Sequence, residues 1–180
     1  MTWTNTPNRY GDISQTIHWL SMFLVGSAWL LGFFGDELPK GEIREAGESL
    51  HISAGEMIGA LLILRLIWLV VSPPPKTIPL PIGQIGRYAA KIVHYSLYAL
   101  LFGVVATGIT LVFAEGEPLK FIGFYEISSP WIEDRAFAHS VKEVHELMAH
   151  SLIILATAHA GAALWHHYMN HDDTLKRMLL

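Results

Sequence analysis

Residues 141–168 read VKEVHELMAHSLIILATAHAGAALWHHY. The apolar run is long enough for one bilayer-crossing helix, and it is interrupted mainly by histidines. His145 and His159 are 14 positions apart, which at about 100° per residue returns to within roughly 40° of one helix face. At about 1.5 Å rise per residue they stand roughly 21 Å apart along the axis, a spacing that suits two stacked cofactors across a hydrocarbon core about 30 Å thick.

The rest of the 180-residue chain is the setting such a helix needs. It is 52% hydrophobic, and its apolar residues gather in four long runs, beyond what one soluble domain of this size would bury. This is the pattern of an all-α integral membrane protein, a four-helix bundle forming one membrane domain over 1–180. The spans are expected at about 13–34, 50–71, 92–114 and 143–169. The chain has ten His and no Cys, which excludes disulfides, thiolate metal sites, iron–sulfur clusters and covalent c-type haem. A net charge of −4 and the absence of a basic arm argue against nucleic acid.

In chain order, MTWTNTPNRYGD is short and polar, without a basic segment leading to a cleavage site, and reads as a retained cytoplasmic tail. His18 opens the first apolar run. The charged linker 35–49 belongs in water. The second run starts at His51, has small residues at Ser53, Ala54, Gly55 and Gly59, and carries Glu56 and Arg65 within it. A charge in hydrocarbon costs at least about 2.5 kcal/mol, so each faces the bundle, a cofactor or an interface. Arg65 either snorkels to the nearer interface or pairs with an anionic group such as a haem propionate. The proline-rich segment 72–83 cannot continue a helix and reads as a stiff surface connector. His94 begins the third run, which holds Gly103 and Gly108. The polar loop from 115 to about 142 carries Phe121, Phe124, Tyr125 and Trp131, suited to the membrane interface.

Orientation follows from basic residues. With both termini cytoplasmic, the inner segments hold Arg9, Lys76, Arg87, Lys91, Lys176 and Arg177 against Asp12, Asp172 and Asp173. The outer loops then hold five basic residues, Lys40, Arg44, Lys120, Arg135 and Lys142, against twelve acidic ones. The basic bias is small, and acidic residues contribute little to the rule.

In that topology His51 and His145 match in depth near the outer face, and His18 and His159 match nearer the inner face. Each pair joins two helices. Two facing neutral imidazoles are what six-coordinate b-type haem requires, because the porphyrin leaves two axial positions on iron. Gly26, Ser27, Ala54, Gly55, Gly59 and Gly161 either let a flat macrocycle approach or simply pack helices. His94 rivals His18, being at similar depth. A metal-ion transporter is the competing reading, but it would place carboxylates beside the histidines at mid-membrane, where only Glu56 is deep. His150 lies about 180° around the helix from His159 and cannot share the face of both candidates. His139 belongs to the outer loop, and His166, His167 and His171 follow the last apolar turn.

The segments SQTIHWLSMFL around His18, SLHISAG around His51, RLIW with Arg65, HELMAHSLIILATAHAGAALWHHY from His145 and the tail DDTLKRM together resemble the bacterial cytochrome b561 family. These are small four-helix di-haem membrane proteins that include superoxide oxidase, and the likeness covers nearly the whole chain in order. The resemblance implies two b haems with axial ligands at His18, His51, His145 and His159, and one-electron traffic between the periplasmic face and the quinone pool of the bacterial inner membrane. It also places Arg65 near a propionate. Trp19, His94, His166 and His167 are further candidates for the propionate or quinone environment.

Two function classes follow. One is superoxide oxidation coupled to ubiquinone reduction, with ubiquinone as acceptor. The other is a non-enzymatic respiratory carrier exchanging electrons with a periplasmic redox protein. The acidic outer face repels superoxide unless Lys120, Arg135 or Lys142 form a local basic funnel, and it attracts a basic protein.

Overall fold

Four long helices account for most of the chain: α1 (Asp12–Phe34), α2 (Glu42–Val71), α3 (Gly83–Ala114) and α4 (Arg135–Tyr168). The computed structural model describes residues 2–76, 83–121 and 125–179. Residues 77–82 of the proline-rich connector, Phe124 and the side chain of Phe121 lie outside the described residues. All four helices are long and apolar enough to cross a membrane. In lipid every backbone N–H and C=O must be satisfied internally, which a continuous helix achieves.

The helices run up and down. α1 packs along α2 and α3 along α4, α2 meets α3, and α1 touches α4 along a much shallower seam. An even number of spans returns both termini to one end, and their tails are tied there. The Tyr10 amide donates to the Arg177 carbonyl at 3.3 Å, the Arg9 guanidinium donates to the Leu179 carbonyl at 2.9 Å, and the Gln15 amide donates to the carbonyls of Tyr10 and Arg177. Gln15 is only 1% exposed. The proline-rich connector joins this layer through Asn5, which bonds Ser72, and through Lys76, whose amide donates to the Pro7 carbonyl. This is the tail end of the bundle.

At the opposite, loop end the helices outrun their apolar stretches. α2 begins at Glu42 rather than residue 50, and α4 at Arg135 rather than 143. Hydropathy marks only the lipid-buried part of a helix, whereas EIREAGES is composed mostly of residues a helix tolerates in water. Gly41, at φ +96°, supplies the turn into α2. Asp134 caps α4, its side chain accepting from the Phe137 amide at 3.0 Å. Between α3 and α4 lies a short antiparallel hairpin, β1 (Leu119–Phe121) with β2 (Tyr125–Ile127), in which Lys120 faces Glu126.

Large apolar side chains cover the outside: Val70 is 83% exposed and Ile154 70%. Such a surface belongs against lipid tails. The interior is narrow, centred on Ala28, Ile58, Leu62 and Leu152, with the Glu56 side chain buried among the spans. Close approach depends on glycine. A Cβ at Gly103 would meet Met148 Sδ of α4 at 2.8 Å, and one at Gly59 would meet Val105 Cγ1 of α3 at 3.1 Å.

Candidate functional site

Two histidine clusters occupy the bundle, one towards each end. At the loop-end side, His51 of α2 faces His145 of α4 with ring centres 6.1 Å apart and planes crossed at 75°. His51 Nδ1 lies 2.8 Å from the Ala28 carbonyl of α1. A carbonyl only accepts, so Nδ1 carries the hydrogen and Nε2 keeps its lone pair. His145 Nδ1 lies 3.1 Å from Thr107 Oγ1 of α3, and that hydroxyl commits its own hydrogen to the Gly103 carbonyl at 2.7 Å. Thr107 therefore accepts from His145, whose Nε2 is likewise free to bind a metal. Both rings sit against glycines. A Cβ at Gly32 would meet His51 Cε1 at 3.0 Å, and one at Gly108 would meet His145 Cε1 at 3.3 Å.

Towards the tail end, three imidazoles from three helices converge. His18 of α1 lies within electrostatic reach of both His94 of α3 and His159 of α4. The rings of His94 and His159 are closest, 5.1 Å between centres. His94 Nδ1 is engaged by the carbonyl of Ala90, on its own helix, at 2.6 Å. Arg65 joins this cluster rather than reaching for the interface. Its Nη1 lies 3.3 Å from His18 Nδ1, its Nε donates to Tyr98 Oη at 2.8 Å, and its guanidinium carbon stands 5.3 Å from the Tyr98 ring centre. Tyr10 lies close by: burial pushes its phenol above the usual value, while Arg65 and Arg177 act in the opposite sense.

The other sequence candidates divide. Trp19 packs edge-on against His18, but its indole N–H is taken by the Met178 carbonyl at 2.7 Å, so it anchors the C-terminal tail. His166 Nδ1 pairs with Asp172 at 2.6 Å. His167 Nδ1 is buried without a hydrogen-bond partner among the described residues. His139 stands 3.8 Å from Glu143 on the loop-end part of α4. Among the small residues, a Cβ at Gly26, Gly55 or Gly161 would meet nothing within 4 Å. Among the described glycines, Gly32 and Gly108 adjoin histidine rings.

Comparison with known proteins settles the family. The family described as "Prokaryotic cytochrome b561" matches residues 9–180. The chain belongs to it. Cytochrome b561 homolog 2 of Escherichia coli (strain K12) is 37% identical over 181 residues, spanning 99% of this chain and 95% of that protein. Cytochrome b561 homolog 1 of the same organism is 30% identical over 178 residues, 96% of this chain and 97% of that one. A protein named "Probable superoxide oxidase CybB" from Yersinia pestis is 31% identical over 177 residues, 95% and 96% of the two chains. The chain is thus a bacterial membrane electron-transfer protein, and cytochrome b561 membership implies a b-type haem.

The loop-end histidines fit that group on their own geometry. With a metal–nitrogen bond of about 2 Å and a ring centre roughly 1 Å beyond each nitrogen, two imidazoles on opposite sides of one iron have centres about 6 Å apart. His51 and His145 stand at 6.1 Å. The 5.1 Å between His94 and His159 is shorter than such an opposed pair requires, which leaves His18 as the third imidazole of the tail-end cluster.

Proposed function

We propose that this chain is a di-haem cytochrome that oxidises superoxide at its loop end and delivers the electrons to ubiquinone. His51 and His145 hold one haem, and His18 and His159 hold the other. When bound, the haems supply one-electron carriers at two depths of the membrane. The supporting observation is the His51–His145 pair, with ring centres 6.1 Å apart and both Nδ1 atoms engaged by other groups, so that each Nε2 keeps its lone pair. The name of the Yersinia pestis relative adds superoxide to that reading.

In the overall reaction two superoxide ions become two dioxygen molecules, and their two electrons, with two protons, convert ubiquinone to ubiquinol. The protein fixes the tautomers of His51 and His145, surrounds the site with apolar helices and places a cation near His18. A ligating His18 needs its Nε2 lone pair, so Nδ1 must carry the hydrogen and can no longer accept from Arg65. Arg65, released, is available to a propionate. Both termini are assigned to the cytoplasm and the loop end to the periplasm.

Superoxide needs a cationic approach. A recess of about 310 Å³ at the loop end is lined by Arg135, His139 and Lys142 together with Glu115 and Glu133. Its cations are matched: Arg135 bonds Glu133 at 2.7 Å, and Lys142 stands 3.8 Å from Glu146. Burial and the neighbouring Glu48 push the Glu115 carboxyl up, with Lys142 opposing. A recess whose cations are matched by carboxylates, set in outer loops with twelve acidic residues against five basic ones, favours the second reading, a carrier that docks a basic periplasmic redox protein.

Stopped-flow mixing of the oxidised holoprotein with superoxide, with and without ubiquinone, tests both. Fast haem reduction with sustained quinone reduction is expected. Haems intact but unreduced by superoxide would overturn the enzyme reading and leave the carrier, recognised by a steep salt dependence with a basic partner. A folded preparation without haem would sink both.

A further inference from the structure

Glu56 is the one acidic residue in the apolar stretch of α2, residues 50–71, and it is only 8% exposed. An ionisable group kept inside a span, where charge is costly, marks a place where protons or ions are handled. The helix leads to it from water. Glu45, Ser49, Ser53 and Glu56 follow at intervals of four, four and three positions, which sets them within about 80° on one face of α2. Glu45 and Ser49 are exposed, Ser53 is half-buried and Glu56 is buried. This line of polar side chains runs from the loop-end water to a carboxyl inside the bundle.

Glu56 also stands beside the loop-end histidine pair. It follows His51 by about 7.5 Å along the helix axis and about 140° around it, so it occupies another face of α2. Gly59 of α2 adjoins Val105 of α3, and Arg65 bonds Tyr98. That register puts Glu56 level with Thr107 and Gly108, the two residues against the His145 ring.

We propose that Glu56 takes up one proton from the loop-end water when the metal centre held by His51 and His145 accepts an electron. The proposal rests on the haem assigned to that pair in the function proposed above, and not on superoxide or quinone as its partners. One electron enters from the donor and one proton joins the Glu56 carboxylate; on reoxidation both leave. Added charge inside a membrane is costly, and an electron and a proton arriving together leave the net charge of the bundle unchanged.

Other groups are poorly placed to take that proton. At the level of Glu56, residues 25–28 of α1 and 104–111 of α3 include no titratable side chain. His18 of α1, with His94, Tyr95 and Tyr98 of α3, lies towards the tail end, where Arg65 is engaged by Tyr98. On α4, His145 is held through Thr107, His150 bonds the Glu146 carbonyl, and the Glu146 carboxylate faces Lys142 at 3.8 Å. In the turn before α2, Glu37 is exposed and Asp36 lies beside Arg44.

The test uses the purified holoprotein, titrated electrochemically over a series of pH values, with reduced-minus-oxidised infrared difference spectra in light and heavy water. The parent is expected to show a protonated-carboxyl band that appears on reduction and shifts in heavy water. Its loop-end midpoint potential should fall by up to about 59 mV for each tenfold drop in proton concentration, as one proton per electron requires. Glu56→Gln keeps the size of the side chain but cannot gain the proton; it should lose the band and flatten the slope at unchanged haem content. Glu56→Asp keeps the acid and should keep both. In the parent, glutamate isotopically labelled at its side-chain carboxyl should move the band, which separates it from haem propionates even where a variant does not assemble. A band and slope identical in the parent and Glu56→Gln, a band unmoved by the label, or a parent without the band would overturn this inference alone. A preparation without haem at the loop-end pair would overturn it together with the proposed function.

Discussion

His145 Nδ1 and Thr107 Oγ1 are 3.1 Å apart, and the direction of that hydrogen bond is fixed by the next link, Thr107 to the Gly103 carbonyl. The ring of α4 is thus held by the backbone of α3 through this hydroxyl and through a backbone hydrogen bond at Val104. Removing such an outer partner typically weakens metal binding by 10–100-fold. Thr107→Val is expected to release its haem about 10-fold faster than the parent. The same haem should show a raised midpoint potential, because an imidazole that loses one of its acceptors donates less to ferric iron. Thr107→Ser should restore both. Haem transfer to an acceptor protein and redox titration read the two effects.

Ligand deletion separates the clusters. His145→Ala and His159→Ala are each expected to lose about one haem per chain and keep the other, measured as pyridine haemochrome against protein. His94→Ala is expected to retain both, because His94 stands too close to His159 for one iron to lie between them. Two low-spin haems in either of the first variants, or loss of one in the third, would redraw the ligand set.

The glycines beside the rings make a graded series. Gly32→Ala puts a methyl 3.0 Å from His51 Cε1, and Gly108→Ala puts one 3.3 Å from His145 Cε1. Neither ring can retreat far while its Nδ1 hydrogen bond holds, so both should shift the electron paramagnetic resonance signal of one low-spin haem, Gly32→Ala more. Spectra identical to the parent's in both variants would mean that the rings are not confined as described.

These contrasts show what the sequence could and could not reveal. Four apolar runs disclose four helices because lipid penalises any other spanning backbone. The helix ends in water escaped the same logic, hence α2 starting at Glu42 and α4 at Arg135. Matched depth was enough to bring His51 and His145 together, since depth depends only on residue count along a helix. Rotation about the helix axis does not follow from count. For that reason Thr107, Gly32 and Tyr98 were not distinguishable from ordinary span residues, and three histidines at the tail end met where depth alone had suggested a pair and a rival. Trp19 packs edge-on against His18, and its N–H is committed to a tail 159 residues away, a partner that depth does not predict.

That tail has its own pH dependence. Burial raises the Asp172 carboxyl, but hydrogen bonds from Thr174 and His166 more than offset this and hold it below its ordinary 3.8. A carboxylate with a lowered folded-state value stabilises the fold above its unfolded value, and the contribution disappears as pH falls through the lower folded one. The turn following α4 should therefore be firm at neutral pH and loosen below 3.8. Asp172→Asn removes the charge at every pH. Because the chain has no Cys, Leu179→Cys offers a single site for a spin label. The label is expected to be immobile at pH 7 in the parent and to gain mobility on acidification. In Asp172→Asn it should already be more mobile at pH 7 and respond less to acid. Equal mobility in the two proteins across that range would show that the His166–Asp172 pair, at 2.6 Å, does not hold the tail.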